Sequence, residues 1–230
     1  MKHRKMKRIL LNKIGLIVLF IAIFSSSNAQ HIDKVFLDAP ENVLPYVNKT
    51  LKLEMLEYYK QSSKKDTVQH LLGGKAVLLD MDTVHHYIKL QPAENTRMEI
   101  KLFPISGIQK TDSASYVIGV IHTVCAPLCS SYVRFYDHQW DALPLNMPML
   151  TAADWLKNKE ETKDGIPIAN VFKSSFIEFS FDKILFHMSV KNNSMNLLSA
   201  EDKLFFQPFI QEENKKMDVF SDGKTVKVTF

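Results

Sequence analysis

The run Tyr116–Val124 (YVIGVIHTV) constrains the fold of this 230-residue chain more than any other segment. It is nearly continuous in apolar and β-branched residues, so it reads as a central strand. Its neighbours keep a period of two. Val77, Leu79 and Met81 alternate with Ala76, Leu78 and Asp80, and Tyr87–Gln91 follows after a polar turn. Met98, Ile100 and Leu102 face one way and Glu99 and Lys101 the other, the pattern of a half-buried strand. In Tyr132–Tyr136, Val133 and Phe135 point inward and Arg134 outward. Short polar connections favour antiparallel hairpins over βαβ crossovers, which need a dozen or more residues.

Helical signals precede and follow these strands. Leu44, Val47, Leu51, Met55 and Tyr58 recur at spacings of three and four, which predicts a helix over Val43–Gln61 with Pro45 in its first turn. Thr67–Leu72 is expected to add a helical turn stopped by Gly73-Gly74. In the second half, Ala152–Lys157 reads as a short helix capped by Thr151. Phe176–Phe181 and Ile184–Val190 read as strands around an Asp182-Lys183 turn. Leu204–Ile210 follows a Ser199-Ala200-Glu201 turn of helical character, and Asp222-Gly223 marks a final hairpin. The expected fold is α+β, with antiparallel sheets and packed helices. The chain is expected to divide into two helix-plus-sheet halves, 30–145 and 146–230; Lys75–Leu90 and Ser175–Val190 share a strand–acidic turn–strand outline, which reads as a weak internal repeat or as two unrelated hairpins.

Residues 1–29 precede both halves and carry an address. Met1–Lys13 holds six basic residues and no acid, Ile14–Phe24 is apolar, and Ser25–Ala29 is small. Basic, apolar, then small is the order of a secretory signal peptide, with cleavage after Ala29. The apolar run is short of the ~20 residues that a membrane span needs. The leader takes six of the 29 basic residues and none of the 25 acidic ones, which leaves 23 against 25 and a net charge of −2. A basic nucleic-acid surface is therefore not expected, and no later stretch reaches spanning length. The mature chain is expected to be soluble, in the periplasm or secreted.

Cys125 and Cys129 are the only cysteines, at the end of the central strand, with Pro127 between them favouring a turn. In an exported protein a structural disulfide is the favoured reading. A redox pair, a metal site with His122, and two free buried thiols are the alternatives.

The run Thr123-Val124-Cys125-Ala126-Pro127, then Cys129, then Arg134-Phe135-Tyr136-Asp137 and Trp140, resembles an uncharacterised family of exported Bacteroidales proteins, Domain of Unknown Function 3256. The Leu44-Pro45 segment, Gly73-Gly74, Glu99–Pro104 and Asp222-Gly223 resemble it too. The chain departs from the family pattern at Phe220-Ser221, where a Trp is frequent. The resemblance implies export and the architecture, and supplies no catalytic residue.

Searched for chemistry, the chain offers little. The histidines form no His-Glu-x-x-His, and adjacent His85-His86 read as a surface turn pair. Gly-x-Ser-x-Gly elbows and phosphate loops are missing. Asp80 and Asp82 could pair on one strand face, but an acidic turn is the simpler reading. No catalytic residue, metal ligand or cofactor is assigned. Tyr132, Arg134, Tyr136 and Trp140 have the residue types of a binding hot spot, unless a second layer covers that face. Asp66-Thr67-Val68, Asp82-Thr83-Val84 and Asp112-Ser113-Ala114 are similar to a bacterial O-glycosylation signal, which implies Thr67, Thr83 and Ser113, all in predicted turns, as acceptors. The preferred reading is a non-catalytic binding or interaction module for a protein or glycan partner. The alternative is an extracytoplasmic, hydrolase-like enzyme whose site is assembled from distant positions.

Overall fold

Tyr116–Ile121 of the central run is buried from both sides, and this is why its apolar character is continuous rather than alternating. The computed structural model describes residues 31–62, 66–70, 72–106, 116–158, 162–163, 166–168, 176–211 and 214–230. The expected signal peptide and Ser113 lie outside the described residues. Seven strands pair antiparallel in chain order: β1 (Thr67–Gln69), β2 (Lys75–Asp82), β3 (Tyr87–Ala93), β4 (Thr96–Pro104), β5 (Tyr116–Cys125), β6 (Cys129–Tyr136) and β7 (Ala142–Leu143). Helices α1 (Ile32–Asp38) and α2 (Lys49–Ser62) cover one face, where Ile32, Phe36, Leu44 and Met55 join Ile118 and Val120 in one core.

The other face meets a second sheet. Its order is β11 (Ile177–Phe181), β12 (His187–Asn192), β13 (Lys215–Ser221), β14 (Val226–Thr229) and β8 (Leu145–Asn146). All pairs are antiparallel except β14 with β8. The β9 (Thr162–Lys163) and β10 (Ile166–Pro167) strands form a separate two-stranded ribbon. Val117, Ile121 and Phe135 of the first sheet share a core with Phe179, Phe181, Met188 and Val228 of the second. The chain is thus α+β, layered as helices, sheet and sheet. No helix among the described residues is long and apolar enough to cross a membrane.

Two charged side chains are held between the sheets. The alternation of β4 predicts Glu99 and Lys101 on a solvent face, but they are 5% and 0% exposed because the second sheet covers them. Lys101 Nζ donates to the carbonyls of Asp182 at 2.5 Å and of Lys183 and Leu185 at 2.9 Å. Burial lowers its pKa to about 8, against the opposing pull of Asp182 and Asp82.

Local boundaries also differ from the expectations. The first long helix begins at Lys49 rather than Val43, because Asn48 starts it: its Oδ1 accepts the Leu51 N–H at 3.0 Å. Val43, Leu44 and Val47 are buried in turns ahead of it, and Tyr46 has a positive φ of 70°. Lys52 Nζ donates to the carbonyls of Leu37 and Ala39, tying α2 to the end of α1. Thr67–Gln69 is an edge strand, not a helical turn, because it pairs with Lys75–Val77. Ala152–Trp155 is a 3-10 helix closed by a Thr151–Asp154 capping box. Ala200–Phe206 is helix α3, and Ser199 Oγ accepts the Asp202 N–H at 3.1 Å.

Candidate functional site

The β5–β6 hairpin carries the aromatic and cationic residues singled out by the sequence, and the pairing register decides which of them meet. His122 lies opposite Tyr132, Val120 opposite Arg134 and Ile118 opposite Tyr136. His122, Tyr132 and Arg134 therefore share one face. The His122 and Tyr132 rings stack at 4.7 Å between centroids with 8° between planes. Arg134 Cζ sits 5.4 Å from the Tyr132 centroid, a cation–π contact. Burial, and secondarily the Arg134 charge, push the His122 pKa down to about 4. At neutral pH this imidazole is uncharged and does not repel the guanidinium.

This face is covered at one end and open at the other. Tyr132 is 49% exposed, whereas Tyr136 is 5% exposed and belongs to the helix-side core. Trp140 packs on that core, with its ring 5.5 Å from the Tyr136 ring. Ile118 and Tyr136 belong to the core beneath the helices, and Tyr132 lies outside it. The expected row of four is therefore divided. Tyr132 and Arg134 form a surface with His122, while Tyr136 and Trp140 anchor the sheet to the helices.

The hairpin neck is closed by the Cys125–Cys129 disulfide. Such a bond belongs to an oxidising, non-cytoplasmic compartment. Arg97 Nη2 lies 3.4 Å from Cys125 Sγ and 3.1 Å from Cys129 Sγ, and pairs with Glu178 Oε1 at 2.7 Å. Asn193 Nδ2 donates to the Cys129 carbonyl at 3.0 Å and to Glu178 Oε2 at 2.9 Å. The neck that presents Tyr132 is thus fastened to the second sheet.

The family model described as "Protein of unknown function (DUF3256)" matches residues 24–219. The chain belongs to this family. A solved structure, "Structure of a domain of an uncharacterized protein from Porphyromonas gingivalis W83", resembles it with a TM-score of 0.68 at 19% identity. The match covers 86% of this chain and 96% of that one. At that identity the likeness shows the fold alone. None of the curated proteins matches the chain.

Other candidate polar groups of this DUF3256 chain are engaged in structure. Asp80 and Asp82 both reach Lys183 Nζ, at 3.0 and 3.5 Å, which joins the β2–β3 turn to the β11–β12 turn. Burial would raise the Asp82 carboxyl, but hydrogen bonds from His85 and from the Val84 N–H hold it at about 2. His85 Nδ1 lies 2.9 Å from Asp82, while His86 has a positive φ of 52° and turns its Nδ1 into a buried position, so the two imidazoles diverge. Among the described residues no three His, Cys, Asp or Glu side chains converge on a metal-sized site. Thr83 is exposed in a turn, and Thr67 is exposed on edge strand β1.

In the sequence of this DUF3256 chain His122 stands out only as a metal-site partner of the cysteines, not as a neighbour of Tyr132, and Arg97 does not stand out at all. Counting back across the hairpin from the Cys125–Cys129 pair places His122 opposite Tyr132, so the first was within reach of a register argument. Arg97 required knowing that β4 faces a second sheet.

Proposed function

We propose that the chain is an exported, non-catalytic binding module that acts in the periplasm or outside the cell after loss of residues 1–29. It holds a protein or glycan partner against the His122–Tyr132–Arg134 strip. The observation that carries this reading is the Tyr132 ring, half exposed yet held by a stacked imidazole and a guanidinium. An aromatic ring fixed before binding loses little conformational freedom on contact, and Tyr and Arg are enriched at binding hot spots. The disulfide and its Arg97–Glu178 clamp keep the strip rigid.

The same export brings the chain to the enzymes that would glycosylate Thr67 and Thr83, both exposed. Crosslinked capture from the native periplasm, with wild type and Tyr132→Ala compared side by side, tests the binding reading. A specific partner held by the wild type and lost by the variant, at unchanged melting temperature, is the expected outcome. Equal capture by both chains would reject the strip as the site.

A further inference from the structure

On the second sheet, well apart from Tyr132 in the chain, the segment 193–211 folds back toward Trp155 and leaves a cavity of about 410 Å³. That lies within the ~300–1,000 Å³ of small-molecule sites. Met195 gives it an apolar side, with Trp155 and Ile210 buried at its base, and Asn196 and Gln211 add amides that can both donate and accept. Lys191 and Lys203 bring two ammonium groups to its wall, and no carboxylate is among its lining residues. Asn192 also lines the cavity, and its Oδ1 accepts the Ser194 N–H at 2.9 Å. That bond fixes the amide and leaves Nδ2 buried with no hydrogen-bond partner.

We propose that this cavity binds a single acidic sugar unit, a hydroxylated ring bearing one carboxylate or phosphate. The anion faces Lys191 and Lys203, the apolar ring face lies toward Met195, and the hydroxyls meet the amides. Neutral sugars lack the group the two lysines select. A bare anion lacks the hydroxyls and the ring face.

The test is an NMR titration of the full chain with galacturonate, glucose 1-phosphate, glucose and inorganic phosphate, following the Trp155 indole and the Asn192, Asn196 and Gln211 amides. Saturable shifts at these groups are expected with at least one acidic sugar at ~1 mM or below. Glucose and inorganic phosphate bind about tenfold more weakly or not at all, and the acidic sugar that binds identifies the anionic group. Lys191→Gln and Lys203→Gln each weaken binding about tenfold without changing the melting temperature. The proposal is overturned if neither acidic sugar saturates, if glucose or phosphate binds equally well, or if both lysine variants bind like the wild type.

Discussion

Glu99 Oε2 accepts the backbone N–H of Phe181 at 2.8 Å across the gap between the two sheets. Phe181 ends β11, an edge strand of the second sheet, so its outward N–H has no strand partner. Edges are normally blunted by charge or cover, and here a carboxylate from the neighbouring sheet does both. The other oxygen, Oε1, pairs with Lys89 Nζ at 3.0 Å. Glu99→Ala would strand a buried N–H and a half-buried ammonium together. We expect it to lose about 2–4 kcal/mol of stability, and Glu99→Gln, which keeps an acceptor, distinctly less. Urea unfolding of the two variants measures the ranking; equal losses would show that the acceptor role does not matter.

Gly119 sets a second expectation. A Cβ there would lie 2.8 Å from Phe103 Cε2, 2.8 Å from Phe181 Cζ and 2.9 Å from Phe135 Cε1. These three rings pack edge to face, with Phe103 and Phe181 centroids 5.1 Å apart, so none has an empty side to retreat into. Gly119→Ala should therefore cost about 1–3 kcal/mol, although alanine is otherwise the better residue for a strand. Phe103→Leu in the same chain should recover part of the loss. Purely additive effects in the double-mutant cycle would rule the steric account out.

How far the sequence reached depends on which signals are local. Strand periodicity placed β2 to β6 and their antiparallel pairing, because alternation and short turns are properties of neighbouring residues. Burial on the second face was not legible. Glu99 and Lys101 look like solvent-facing residues until β11 is laid over them. Val43, Leu44 and Val47 follow a helical spacing yet lie in turns, since apolar spacing reports burial and not backbone conformation. Tyr132 and Tyr136 share strand parity, and only the helix-side core that takes in Tyr136 separates exposed from buried. The cavity at Trp155 draws its lining from residues 155 to 211, so no contiguous motif could announce it.

His122 makes stability depend on pH. Its pKa falls from an ordinary value of 6.5 to about 4 in the folded chain. Between those values the unfolded chain binds the proton more readily, so stability drops as pH falls from 6.5 toward 4 and is unaffected above 7. His122 is partly exposed, which discounts the effect to about 1–3 kcal/mol. The stability difference between wild type and His122→Gln should thus be flat from pH 7 to 8 and shift against the wild type on acidification. A difference constant down to pH 4 would mean that the imidazole protonates freely in the stack.

Export and the disulfide are checked together on protein taken from its native host. The exported reading predicts cleavage after Ala29, with Gln30 at the N-terminus, which terminal sequencing or intact mass reads directly. An oxidising compartment keeps Cys125 and Cys129 joined, so denaturing without reductant should leave both unlabelled by iodoacetamide, and reductant should expose both. The bridge closes a very short loop, for which the chain-entropy model gives about 2 kcal/mol. Reduction should therefore lower the melting temperature by several degrees without unfolding the chain at 25 °C, because the Arg97–Glu178 and Asn193 contacts remain to hold the neck. Complete unfolding on reduction would mean that the two sheets depend on the bridge itself. Ready labelling before reduction would remove the disulfide, and an intact leader would remove the exported reading.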